Sequence, residues 1–302
     1  MFHHGADAVF VADLIRPAPA GSPSSLHSAA GLVSHPAPPA HPPTTDAPGR
    51  LLQSEITMSD PSEHAHHVHA AHAAVQQGNL ALAKIHYAQA WRCVDVGTLI
   101  IGDSHVFTFL EAGHTLPIWL GAITMHRVAR DAAAFLALSE LDVHAGLDIV
   151  FCFGEIDARL HIMRQVESTS STAKDIIGDL VERYVHSIAH IVDRPGLRCF
   201  VTTPVPPQPI KPGSPYAASE IAPLVERIAV AHELAEALIS QAGIHDIGVI
   251  DVYRALRADD GCMQRDCASD EIHAYTQSGR LAAANLLLAA QGGNWTRSPL
   301  VI

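Results

Sequence analysis

From about Val94 onward the chain follows a rhythm that restricts its possible folds severely. Short, continuously apolar runs alternate with longer stretches of helical period. The runs are "TLIIG" (98–102), "TLPIWLG" (115–121), "DIVFCFG" (148–154), "LRCFVTTPV" (197–205) and "IGVIDV" (247–252). Helical spacing fills the regions near 122–140, 171–193, 215–243 and 276–290. A strand that is apolar on both faces must be covered on both faces, and helices set between parallel strands do this. The expectation is one doubly wound α/β domain over residues 94–302, with polar chemistry gathered at the carboxyl ends of its strands.

Upstream the pattern differs. Residues 1–60 hold nine of the 20 prolines within their first 50 positions, mixed with Ala, Ser and His, and such a segment buries too little apolar surface to order itself. Met58 stands as an alternative start. Residues 61–93 are Ala-rich with small or apolar residues at helical spacing, and Gly78-Asn79 reads as a helix end. The expected unit is a helical hairpin of tetratricopeptide type, packed on the next domain or offering a protein contact. One such repeat is too few for a solenoid. Its histidines, "HAHHVHAAH", can share a helix face, but the neighbouring sequence supplies no Cys or carboxylate cluster to complete a metal site. No metal is expected.

Composition narrows the function classes. With 48% hydrophobic residues a core is available, yet no apolar run reaches the length of a membrane span. The apolar "AVFVADLI" near the start is broken by Asp13 and has no preceding Lys or Arg, a poor secretory signal. A formal charge of −12 argues against a nucleic-acid partner. Five cysteines at scattered positions fit no disulfide framework, and a reducing cytoplasm is the expected compartment. No dinucleotide or P-loop fingerprint occurs, so no cofactor is expected.

The polar clusters fall where the sheet argument places them. Asp103-Ser104-His105 follows the first strand, Gly121 the second, and "GEIDARLH" (154–161) the third. Asp270 stands three residues before His273, ahead of the last helix. A serine hydroxyl needs a base to take its proton, and the base needs an orienting partner; Asp-x-x-His supplies both from one loop. Backbone N–H groups at Ser104 and at Gly121 are candidate oxyanion donors. Ser104 is equally a preferred helix N-cap, and Asp103 suits a turn-shaping acceptor. His105 reads as a packing or capping residue, or as a substrate contact.

Taken together, Gly102-Asp103-Ser104, Gly121, Gly154-x-x-Asp157 and Asp270-x-x-His273 resemble the four blocks of the SGNH (GDSL-like) hydrolase superfamily, in order, over about residues 97–290. The resemblance implies a flavodoxin-like three-layer α/β/α sandwich. It further implies a serine esterase or acyl-transferase acting through Ser104, His273 and Asp270, with Gly121 in the oxyanion hole. The substrate it implies is a small-molecule or glycan ester, such as an O-acyl sugar. The chain departs from the pattern at one position: the family's third block is Gly-x-Asn-Asp, and Ile156 stands where its oxyanion Asn would be. Losing one such donor reduces turnover by about 100- to 1,000-fold. Arg159 or His161 could replace it if the loop turns inward, with Glu155 as an orienter; otherwise all three are solvated loop charges.

Two rival readings remain at this stage. An SGNH-like fold that has lost turnover would be a binding module. Alternatively, Asp103-x-His105 after a strand could open a two-metal phosphoesterase site with Glu155 or Asp157 adding a carboxylate, although no Gly-Asn-His block accompanies it.

Overall fold

The computed structural model describes residues 61–93, 96–135, 146–191, 196–217 and 221–292. The segment 1–60, expected to be disordered, lies outside the described residues. Two helices open the described chain, α1 (Pro61–Gln76) and α2 (Leu80–Arg92). Gly78, at φ 72°, ends the first, and the Asn79 side chain caps the second by accepting from Leu82 N at 3.1 Å.

Five strands follow: β1 (Thr98–Gly102), β2 (Thr115–Trp119), β3 (Asp148–Cys152), β4 (Arg198–Thr202) and β5 (Gly248–Ile250). They form one parallel sheet in the order β2-β1-β3-β4-β5. The helices between and after them are α3 (Met125–Phe135), α4 (Ile162–Ser168), α5 (Ala173–Ile191), α6 (Leu224–Ile244), α7 (Val252–Leu256) and α8 (Gln277–Ala290). None of the described helices is long and apolar enough to cross a membrane.

The apolar runs explain the layers. Leu99, Ile101, Ile149, Phe151 and Val201 enter one core with α5 and α6, whereas Ile100, Val150, Cys152 and Phe200 enter a second core with α7 and α8. Alternate residues of each strand thus feed opposite faces, and each fully buried Leu, Ile or Phe contributes about 1.5–3 kcal/mol. The result is the expected α/β/α sandwich.

The hairpin belongs to the first core. Val68, Ala71, Val75, Ala83, Tyr87 and Ala90 pack with the sheet residues on that face. Tyr87 also closes the edge of the sheet. Its hydroxyl donates to Trp119 O and accepts from Trp119 N, both at 3.0 Å, so the edge strand's polar groups are satisfied there. The hairpin's apolar face is therefore covered by this chain itself, and Leu82 and Ile85 stay exposed on α2.

The strand order places the reversal point between β1 and β3, because the chain steps outward to β2 and then returns to the other side of β1. In open α/β sheets the crevice at the carboxyl ends of such strands is where ligands bind. Ser104 and Glu155 begin the segments that leave those two ends.

Candidate active site

The turn after β1 is built around a contact that only glycine allows. A Cβ on Gly102 would lie 2.0 Å from the Cys152 carbonyl oxygen of β3. Pairing runs one residue further, with Asp103 N donating to Cys152 O at 3.3 Å. The chain then enters a 3-10 turn over Ser104–Phe109, whose N-cap is Asp103 rather than Ser104: Asp103 Oδ1 accepts from His105 N at 2.9 Å. Val106 and Phe109 anchor the turn in the second core. Ser104 is left half-buried at the sheet edge, with its hydroxyl free of any capping duty.

The segment before α8 brings His273 to Ser104. Asp270 Oδ1 accepts from Ile272 N at 2.8 Å and from His273 N at 2.7 Å. Its Oδ2 lies 2.8 Å from His273 Nδ1. Burial pushes the Asp270 carboxyl up, but the hydrogen bonds and charge of His273 outweigh this and hold it at about 2. An ionised Asp270 can only accept, so His273 carries its proton on Nδ1 and its Nε2 lone pair points outward. That Nε2 lies 2.9 Å from Ser104 Oγ. Ser269 fixes the loop from behind, donating to His273 O through both N (2.9 Å) and Oγ (3.0 Å).

Sequence reasoning did not find Tyr275. Its ring stacks on His273 at 4.4 Å and 21°, and its hydroxyl donates to Ser104 O. One side chain thus braces the His273 ring and the Ser104 backbone together. Its position two residues after His273 was the available signal, but stacking depends on how the loop meets the β1 turn.

His105, read as a packing or capping residue or a substrate contact, packs inside the protein. It is buried, with Nδ1 2.9 Å from Asp103 Oδ1 and Nε2 2.9 Å from Ile272 O. Burial alone would lower its pKa, but the Asp103 carboxylate and these hydrogen bonds raise it to about 9. The ring is therefore an imidazolium at neutral pH that donates on both sides, tying the Ser104 turn to the His273 loop. Both ring nitrogens and Asp103 Oδ1 are thus engaged within the protein.

Gly121 stands beside this turn by strand register. Gly102 pairs with Trp119, and Leu120 N donates to Gly102 O at 2.9 Å, so residues 120–121 leave β2 alongside residues 103–104. Gly121 adopts φ 83°, a conformation that favours glycine, and a Cβ there would sit 3.3 Å from Val75 of the hairpin. Among the described residues, neither the Ser104 nor the Gly121 backbone N–H has a protein acceptor.

The third block is not the loop expected. Residues 155–161 continue β3 directly into a helix, with a π-helical turn over Asp157–His161. Glu155 and Arg159, read as solvated or oxyanion-supporting charges, form a buried pair at 2.6 and 3.1 Å. Burial opposes both charges, but the pairing overrides it, lowering the Glu155 pKa and raising that of Arg159. Buried Asp157 accepts from Met125 N at 2.7 Å and His126 N at 3.3 Å, pinning the start of α3; burial nevertheless pushes its carboxyl up to about 7. His161 bonds Gln165 at 2.7 Å and lies against His126 at 4.4 Å, so none of its contacts is with Ser104 or His273. Ile156 is half-buried in the helix's first turn.

No protein-family model matches this sequence, and no curated protein matches it in sequence. Its likeness among solved structures is to acylhydrolases and esterases. It is similar to a GDSL-like lipase from Bacteroides thetaiotaomicron, at 10% identity over 70% of this chain and 98% of that one, with a TM-score of 0.48. It is also similar to a lipase/acylhydrolase from Enterococcus faecalis (16% identity, 65% and 95% covered, TM-score 0.41). A carbohydrate acetylesterase from Sinorhizobium meliloti matches at 15% identity, with 66% and 100% covered and a TM-score of 0.44.

Proposed function

We propose that this chain is a serine esterase or acyl-transferase working through Ser104, His273 and Asp270. One observation carries the reading. Ser104 and His273, 169 positions apart, meet at 2.9 Å, and the far nitrogen of the same ring meets Asp270 at 2.8 Å. A polar turn or a cap would not require that relay.

The steps follow from the proton positions. Ser104 Oγ attacks the ester carbonyl carbon while His273 Nε2 takes its proton, and Asp270 stabilises the imidazolium formed. The carbonyl oxygen becomes an oxyanion, for which the N–H groups of Ser104 and Gly121 are the donors we assign. Collapse expels the alcohol, which receives the proton from Nε2 and leaves an acyl-Ser104. Water then attacks the acyl carbon in hydrolysis, or a second hydroxyl in transfer, and the same nitrogen shuttles the proton back. The substrate class we propose, O-acyl groups on a sugar, rests on the resemblance of the sequence blocks.

Labelling by a fluorophosphonate tests the reading. Wild type should label and cleave short acyl esters without added metal, whereas Ser104→Ala should do neither. Activity that survives Ser104→Ala would refute it. A second reading, a binding module without turnover, is favoured by Ile156, which offers no side-chain donor. Wild type that neither labels nor cleaves would promote that reading.

A further inference from the structure

We propose that the helical hairpin holds a binding site for a zinc-type divalent ion, built from Glu63 and His67 of α1 and Cys93 at the end of α2, with His86, which stands beside His67, added as a fourth donor by a side-chain rotation. Sequence alone found histidines here without a cysteine or carboxylate to complete a set. Folding supplies both. The donor atoms of Glu63, His67 and Cys93 all lie within 4.8 Å of one another.

The antiparallel register explains the convergence. His64 Nδ1 meets Ala90 O at 3.1 Å, and His67 Nδ1 meets His86 Nδ1 at 3.4 Å, so the start of α1 lies against the end of α2. Glu63 and His67 are four apart on one helix face, and His86 and Cys93 are seven apart on the facing one. The His67–His86 separation itself suggests a shared ligand. At 3.4 Å it exceeds the ordinary hydrogen-bond range of ~2.7–3.2 Å. It matches the edge of a tetrahedron of zinc–nitrogen bonds, which is about 3.3 Å.

The donor set is selective in kind. Two imidazoles, a thiolate and a carboxylate suit Zn²⁺ or Co²⁺, and are wrong for the all-oxygen preference of Mg²⁺ and Ca²⁺. Binding would release the Cys93 thiol proton, now directed at Gln89 O at 3.3 Å, to solvent. The ion would cross-link α1 to α2 in the hairpin whose Val75 abuts Gly121. Its binding does not depend on the esterase reading.

The test uses the full chain without an affinity tag, stripped by a chelator and titrated with Co²⁺, with Zn²⁺ added in competition. One equivalent should bind and produce near-ultraviolet thiolate-to-cobalt absorption, which Zn²⁺ then abolishes. Cys93→Ser should remove that absorption, and His67→Ala and His86→Ala should each weaken binding by about tenfold or more. Circular dichroism establishes that each variant is folded. His66→Ala, an exposed neighbour outside the set, should change nothing. Absence of the thiolate absorption, or equal weakening by His66→Ala and His67→Ala, would overturn the site and leave only a histidine-rich surface.

Discussion

Raising the pH through about 9 should unfasten the two halves of the candidate site. His105 is buried between Asp103 Oδ1 and Ile272 O, and its pKa rises from 6.5 to about 9, the effect of Asp103 overcoming that of burial. The sign follows directly. The folded chain holds this proton more tightly than the unfolded chain, so the stability it contributes is complete below pH 6.5 and is lost as pH rises through 9. A shift of that size corresponds to about 3 kcal/mol. Urea unfolding between pH 6 and 10, on wild type and on His105→Gln, reads it out. With a slope of ~1–3 kcal/mol per molar urea, the wild-type advantage in midpoint should shrink by about 1–3 M across that window. Asp103→Asn should remove the pH dependence as well, because it removes the carboxylate that holds the proton. Parallel curves for wild type and His105→Gln from pH 6.5 to 9.5 would refute the imidazolium clamp.

Three further outcomes follow from the same geometry. Asp270→Asn keeps the loop's shape but no longer fixes the proton on His273 Nδ1; ester turnover should fall by about 10⁴-fold. Gly121→Ala places a side chain at φ 83° and 3.3 Å from Val75, and should cost about 1–2 kcal/mol of stability in thermal unfolding, together with most of the activity. Asp157, with its carboxyl pushed up to about 7 by burial, binds a proton in the fold that the unfolded chain releases above 3.8. Its contribution should therefore be lost between pH 4 and 7, by at most about 4 kcal/mol, and urea midpoints of Asp157→Asn should lack that decline.

The strands were legible because burial on both faces leaves an unbroken apolar run. "TLIIG" is β1 to the residue, and the other runs locate their strands but overstate them. The last shows why. "IGVIDV" yields only Gly248–Ile250, because Asp251 turns the chain by capping α7 through Arg254 N at 3.1 Å. The helical region read from 215 begins at Leu224, just after Pro223. "GEIDARLH" looks like a loop by its charges, yet it is helical, since the charges are neutralised in pairs that local sequence does not announce. The placement of Ser104 and His273 at one sheet edge could be argued from topology alone. The His105 clamp, the Tyr275 brace and the approach of Cys93 to Glu63 could not, because each depends on which residues distant in sequence come to share a surface.

Ile156 offers the strictest test of how the third block relates to catalysis. It follows β3 by four residues, in the first turn of the helix that leaves the reversal point of the sheet, and it is only half-buried. An aliphatic side chain there can exclude water but cannot meet a developing negative charge. Replacing it by Asn adds an amide donor at the position where the block resemblance expects one, and removes a side chain that is outside both main cores. Stability should then change little, while turnover of a short acyl ester should rise by about 100-fold, the value of one oxyanion donor, mostly in kcat. Ser104→Ala in the same background must abolish the gain, which separates a catalytic effect from altered binding. An Ile156→Asn variant that folds normally but gains nothing would mean that residue 156 does not face the oxyanion. The helix after β3 would then have been kept for its Asp157 anchor and its Glu155–Arg159 pair, and the Ser104 and Gly121 amides would be left to stabilise the oxyanion without a side-chain donor from that position.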